Sequence, residues 1–349
     1  MRSNNLIEKK ERVWYWDSIK FLMMLAVVVG HFSESMVNLG AVDIASLKLS
    51  IYAFHMPMFI FIFGIFYNED KYKRKALFFL VAGYFFKIFS YCSSLIINGR
   101  GRFTIFYDAG ITWFLFVLMW YSLLGAALKK YDKRIVLAVS FVISLFTGYF
   151  KEIDDFLCLS RMLVFFPYFW LGTMINRNDL LEKIKKYRRY LWLPAVCVLL
   201  GWLALCYFRF DDLKILSHLF SGRNPFSKET NGMGCLYRLL TSAITLLTGA
   251  AILAVVPMKK IPVISYLGRN TLNVYFWHYT FLYLVYRVLN VKEIIVGRKG
   301  ILLMLAIAVV LTFILSLDIF NFPLKNISKF IMSYNKEKRA SVNCSMSNE

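Results

Sequence analysis

Apolar and polar positions along this chain alternate in long blocks. Ten apolar blocks, Trp14–Phe32, Leu47–Tyr67, Ala76–Ile97, Ile111–Leu128, Ile135–Phe150, Phe156–Ile175, Leu191–Phe208, Leu239–Val256, Leu272–Val288 and Ile301–Phe320, are divided by short polar loops. A helix of about twenty apolar residues matches the roughly 30 Å of hydrocarbon in a bilayer. Within lipid, a segment that pairs no neighbouring strand satisfies its backbone only as a helix. The pattern therefore predicts an all-α polytopic membrane protein of about ten transmembrane helices. The fifth block is short and the sixth contains Arg161, so these two are the least regular.

Composition agrees. Of 349 residues, 59% are hydrophobic and 18% aromatic, with a mean hydropathy of +0.56. A soluble chain of this size would expose much of that apolar surface. The net charge of +21 raises nucleic-acid binding, but the cations are scattered over the loops and form no basic domain. Alternate loops hold most of them: the N-terminus, "NEDKYKRK" (68–75), "KKYDKR" (129–134), "NRNDLLEKIKKYRRY" (176–190), "MKKIP" (258–262) and the C-terminal tail. By the positive-inside rule both termini are expected in the cytoplasm. Residues 1–13 form a cytoplasmic segment, 14–320 the membrane domain, and 321–349 a basic cytoplasmic tail. "KKER" before an apolar stretch resembles a signal peptide, but no small-residue cleavage site follows, so the first helix is expected to be retained. The six cysteines show no metal-ligand spacing; Cys158 and Cys235 either pair on the outer side or serve as ordinary apolar residues.

Charges inside hydrocarbon are costly, and each is a functional candidate. The first block holds Asp17, Lys20 and His31, with Glu34 just beyond. Eleven helical positions turn the chain about 20° past three full turns, so Lys20 and His31 share a face about 16 Å apart along the axis. Asp17 and Glu34 stand three residues outside this pair, on the same stripe. Asp17 with Lys20 is either a buried ion pair or part of a site. Glu34 either orients the His31 imidazole, which would suit a general base, or is a solvated loop carboxylate. His55, in "FHMPMFIFIFG", precedes Pro57, where a kink should free backbone carbonyls. His278 lies in the ninth block, with Arg269 and Asn270 near its start. Three histidines on different helices suggest a shared polar cavity; no spacing supports a metal site. Lys87 stands alone in the third block and requires an anionic partner or a wet cavity. Lys71, Lys73, Arg74 and Lys75 read as an inside anchor or as a site for a phosphorylated cytoplasmic substrate. No Walker loop, dinucleotide glycine pattern, GxSxG or HExxH is present.

These residues resemble the integral-membrane acyltransferase-3 family, especially its fucose 4-O-acetylase-like branch. "YWDSIKFLMMLAVVVGHF" (15–32) is similar to the family's first helix, where a basic residue precedes a histidine with ten residues between. "FHMPMFIFIFGIFY" (54–67), "TWFLFVLMWY" (112–121), "FFPYFWLGTMI" (165–175) and "LGRNTLNVYFWH" (267–278) look like the signatures of the second, fourth, sixth and ninth helices. The resemblance covers nearly the whole chain. It implies a multi-pass protein of a bacterial cytoplasmic membrane that moves an acyl group, usually acetyl from cytoplasmic acetyl-CoA, to a hydroxyl of an envelope or extracellular polysaccharide. The acceptor would be a glycan or a lipid-linked glycan. Where the family has Arg-x-x-Arg, this chain has Lys71 and Arg74, which keeps the charge but loses one bidentate fork. The chain shows no appended hydrolase-like domain, so transfer is expected to finish within the membrane domain.

On this reading the donor's phosphates lie near Lys20, Lys71 and Arg74, and its acetyl end points toward His31. His31 acts either as general base or as transient acyl carrier. His55, Lys87, Arg269, Asn270 and His278 are supports, some of them candidate oxyanion donors. The alternative from another class is a glycan transporter or lipid-linked oligosaccharide flippase, although no internal repeat is visible.

Overall fold

A computed structural model describes residues 14–37, 42–108, 110–288 and 297–333. The N-terminal segment 1–13 and the chain beyond 333, with Cys344, lie outside the described residues. In order, the helices are α1 (Trp14–Val37), α2 (Val42–Tyr52), α3 (His55–Ile65), α4 (Tyr72–Asn98), α5 (Trp113–Ala127), α6 (Lys133–Phe146) and α7 (Leu159–Met174). Then come α8 (Arg177–Phe208), α9 (Phe210–Leu213), α10 (Leu216–Phe220), α11 (Gly234–Val255), α12 (Pro262–Leu267), α13 (Thr271–Val288) and α14 (Gly297–Leu315). A last helix, α15, runs over 324–333, and there is no strand among the described residues.

Each predicted apolar block falls on a helix or a helix pair. Among the described residues, five helical stretches are long and apolar enough to cross a membrane: Trp14–Glu34, Asp43–Ile65, Glu69–Ile96, Arg177–Phe208 and Asn231–Val255. Trp113–Ala127 and Lys299–Leu315 are apolar but shorter. Their outward faces suit lipid: Leu193, Leu200, Leu205 and Phe208 of α8 are exposed. On α6 the usual pattern is inverted. Ile135, Val139, Val142 and Phe146 face outward, while Ser144 is buried and donates to the Val164 carbonyl at 3.0 Å.

The second block is interrupted between α2 and α3, and Pro57 explains where. Proline has no N–H to give the carbonyl four residues back, which belongs to Ala53. The freed Ala53 oxygen accepts instead from Thr245 Oγ1 of α11 at 2.6 Å. The neighbouring Ser50 carbonyl takes the indole N–H of Trp202 in α8 at 3.2 Å. Two lipid-facing helices thus hold the break open, and it presents Tyr52 and His55 to the interior. At the far end of α4, Gly99 takes φ +65°, a left-handed cap that donates to Leu95 and stops the helix.

α1 lies at the centre, with α2 and α3 on one side and α12, α13 and α14 on the other. Its first turns are sealed. Ser18 meets Ser265 at 3.2 Å, and Tyr15 donates to the Leu253 carbonyl at 2.5 Å. A Cβ on Gly268 would overlap the Asp17 carbonyl oxygen at 1.9 Å, so α12 ends directly on the α1 backbone. The start of the basic tail packs against the helices: Leu324 and Ile331 of α15 are buried. They sit seven residues apart on one helical face, a spacing that docks the segment on the bundle.

Helices α3 and α7 approach through Gly64 and Gly172. A Cβ on Gly64 would stand 2.2 Å from the Phe169 carbonyl oxygen, and one on Gly172 2.3 Å from that of Phe61. Small residues allow such approach between membrane helices. Gly64→Ala is therefore expected to cost about 1–3 kcal/mol through overpacking, measured as a lowered melting temperature of the detergent-solubilised protein. An unchanged melt would mean that the two helices are free to separate.

Candidate active site

The last two turns of α1 carry His31 and Glu34. Three helical positions put both on one face, and His31 Nδ1 lies 3.5 Å from Glu34 Oε2. The returning α2 completes the carboxylate's environment. Lys48 Nζ donates to Oε1 at 2.9 Å and the Tyr52 hydroxyl to Oε2 at 2.8 Å. Glu34, with its side chain about half exposed, is thus held by three side chains. With an Nδ1 proton facing the carboxylate, the His31 Nε2 lone pair is left for chemistry.

His278 of α13 stacks against His31, with ring centroids 5.3 Å apart. It is fully buried, and its Nδ1 lies 2.9 Å from the Val274 carbonyl. A carbonyl only accepts, so Nδ1 holds the proton. Its Nε2 is buried without a hydrogen-bond partner. His55 follows the same rule: Nδ1 donates to the Ile51 carbonyl at 2.9 Å, and its ring lies 4.8 Å from that of Tyr52. A cavity of about 490 Å³ opens here, lined by His31, Tyr52, His55, Arg161, His218 and Tyr279 among others. His218 comes from α10 and binds the Pro225 carbonyl at 2.9 Å. The chain's four histidines, drawn from four helices, therefore converge on one cavity or its wall. Among the described residues, no three His, Cys, Asp or Glu side chains are grouped so as to hold a metal.

Arg161, on the first turn of α7, forms the cavity's cationic wall. It is 5% exposed. Its guanidinium lies 4.8 Å from the Trp113 ring centre; it donates to the Asp108 carbonyl at 3.2 Å and approaches Asp155 at 3.7 Å. Arg223 holds the same Asp155 at 2.5 Å. Arg238, buried in α11, fixes the cavity's roof by donating to the Leu219 carbonyl at 2.8 Å and to Asn224 at 3.3 Å.

Lys87 is not isolated. It donates to the Tyr107 carbonyl at 2.6 Å and sits 4.0 Å from Asp108. Burial raises the pKa of the Asp108 carboxyl, against the pull of its Thr112 hydrogen bond and of Lys87 and Arg161. Lys20 pairs with Asp17 at 2.7 Å, at the sealed end of α1. Lys71 and Arg74 are exposed near the start of α4. These three cations do not line the His31 cavity. The structure also does not bring Arg269 and Asn270 to His31. Asn270 donates to Ser316 and Asp318, each at 2.8 Å, and Arg269 lies over Trp14. They precede α13, and eight helical positions separate Asn270 from His278, about 12 Å along the axis. The cationic side chains that do line the cavity are Lys48, Arg161 and Arg223.

The model for the acyltransferase domain of the acyltransferase-3 family matches residues 13–320. The chain belongs to this family. It is a membrane acyltransferase, and the match spans both ends of α1, the cavity and the α13 histidine. No curated protein and no solved structure matches the chain. The acyltransferase cavity also contains residues that sequence reasoning passed over. Arg161 shows in the sequence only as a charge spoiling an apolar block, and Asp108 and Asp155, which hold it without lining this cavity, only as acids between blocks. Lys48, Tyr52 and Tyr279 gave no signal beyond position.

Proposed function

We propose that this acyltransferase moves an acetyl group from cytoplasmic acetyl-CoA to a hydroxyl of an envelope or extracellular polysaccharide. The observation carrying this reading is the carboxylate-held His31 at the wall of a cavity that also presents Arg161, Tyr52 and Lys48. On this reading the ten apolar blocks all span the bacterial cytoplasmic membrane, both termini are cytoplasmic, and the cavity opens toward the outer face. Acetyl-CoA comes from the cytoplasmic side, with Lys71 and Arg74, exposed near the start of α4, beside its phosphates.

The acceptor hydroxyl sits against His31 Nε2. As its oxygen attacks the acetyl carbon, the imidazole takes the hydroxyl proton. Glu34 stabilises the resulting imidazolium. Negative charge that develops on the carbonyl oxygen meets Arg161 and the Lys48 ammonium. Collapse breaks the C–S bond, and the imidazolium returns its proton to the leaving thiolate. A thioester is exchanged for an ester, so no further energy source enters. The alternative, acetyl held briefly on His31, uses the same nitrogen and leaves the same products.

Membranes with and without the protein, given acetyl-labelled acetyl-CoA, test this. The expected result is alkali-labile label on glycan that depends on the protein. Glycan movement across the membrane without acetyl-CoA, and no labelled ester, would replace this reading with a flippase.

A further inference from the structure

A second cavity, of about 570 Å³, adjoins the first; Gly110, Ile111 and Tyr279 line both. Tyr279 stands edge-on to His31 with ring centroids 6.0 Å apart, so the shared wall lies beside the imidazole. The second cavity is built by the later turns of α4, the non-helical stretch 101–108 and Asp154 and Asp155 before α7. Two loops are stitched together to form it: Asp108 N–H donates to Asp155 at 3.2 Å, and Leu157 N–H to Phe106 at 2.7 Å.

Its lining mixes aromatic faces with donors and acceptors. Tyr91 and Phe103 stand edge to face at 5.7 Å, and Phe103 and Tyr107 are substantially exposed. Ser90, Thr104 and Asp154 supply polar atoms between them. Apart from the exposed Arg102, its charges are spent within the protein. Lys87 is bound to Asp108 and the Tyr107 carbonyl, and Asp155 to Arg161 and Arg223. Asp154 caps the Phe156 N–H at 2.7 Å. Arg102 is then a single exposed cation in a lining that also holds Asp108, Asp154 and Asp155, which gives no cation cluster for a phosphate or carboxylate. The carboxylates and the Lys87 ammonium make it unsuitable for a fatty chain. It fits a neutral polyhydroxyl ligand, which needs apolar faces and hydrogen-bond partners of both kinds.

Resting on the proposed glycan acceptor, we infer that this second cavity is a subsite for further sugar units of a neutral glycan chain. The unit being acetylated reaches His31 past Tyr279, while its neighbours lie on the Tyr91–Phe103 side. The acceptor is then a preassembled oligosaccharide or polymer rather than a single sugar.

Purified protein in detergent is assayed with labelled acetyl-CoA and neutral acceptors, from mono- to hexasaccharides of glucose, galactose and N-acetylglucosamine. Expected is a kcat/KM at least about tenfold higher for longer acceptors than for the matching single sugar. Phe103→Ala and Tyr91→Ala should each erase most of that preference through KM, the mark of lost binding rather than lost chemistry. Phe103 is exposed, so its truncation spares the core, and melting curves confirm that each variant is folded. Equal transfer to single sugars and oligosaccharides would overturn the subsite while leaving the proposed acetyl transfer intact. A length preference that survives both substitutions would overturn its placement, and preference for uronic-acid chains would overturn its neutrality. Absence of transfer to all of these glycans would overturn the proposed function and the subsite with it.

Discussion

Replacement of His31 by alanine is expected to lower acyl transfer by about 10²–10⁴-fold, the usual contribution of a positioned general base. Label incorporation from acetyl-CoA, corrected for the amount of inserted protein, measures it. The expectation rests on geometry that no other imidazole shares. His278 gives its Nδ1 proton to a carbonyl of its own helix and His55 gives its own to the Ile51 carbonyl of α2, which fixes their rings but supplies no charge. His31 alone faces a carboxylate, and that carboxylate is itself held by Lys48 and Tyr52. Glu34→Gln should cost less than His31→Ala, because the amide still accepts from Lys48 or Tyr52 while no longer balancing an imidazolium. Equal transfer in wild type and His31→Ala would move the chemistry to His278, whose Nε2 is buried and unpartnered beside it.

Arg161→Met should lower stability by about 1–3 kcal/mol, as expected when buried hydrogen-bond acceptors lose their donor. The methionine fills much of the volume over Trp113 but contributes no donor. Asp155 would then depend on Arg223 alone, and the Asp108 carbonyl would lose its guanidinium. Because Asp108 and Asp155 anchor the loops between the two cavities, transfer should fall along with the melting temperature. Arg161→Lys keeps the charge but not the planar, multiply donating group, so it should recover only part of the loss. Chemical denaturation in detergent provides the measurement. A Met variant as stable as the wild type would mean that the buried charge is neutralised by other means.

Helical periodicity made some of this site readable in the sequence. The eleven-residue spacing of Lys20 and His31 and the three-residue spacing of His31 and Glu34 follow from one repeat of 3.6, and they survive in α1 unchanged. Pro57 announced a break because its chemistry is local. What periodicity could not supply is which elements come together. That Glu34 meets Lys48 requires α2 to fold back. That Ala53 finds Thr245, or Arg161 finds Asp108, depends on contacts 192 and 53 residues apart in the chain. Arg269 and Asn270 stand near His278 in the sequence, but they precede α13 and the helix rise puts them about 12 Å from it along the axis.

The contact of Gly268 with the Asp17 backbone has a consequence for α1 as a whole. One end of this helix is pinned by main-chain contact, and the other is tethered through Glu34 to α2. A rod fixed at both ends can neither slide nor swivel, so the count of residues between Asp17 and His31 sets the azimuth of the imidazole. One residue more or fewer would turn it by about 100°, away from the cavity and toward packed side chains. The first helix thus acts as a gauge, converting a number of residues into the bearing of a single nitrogen.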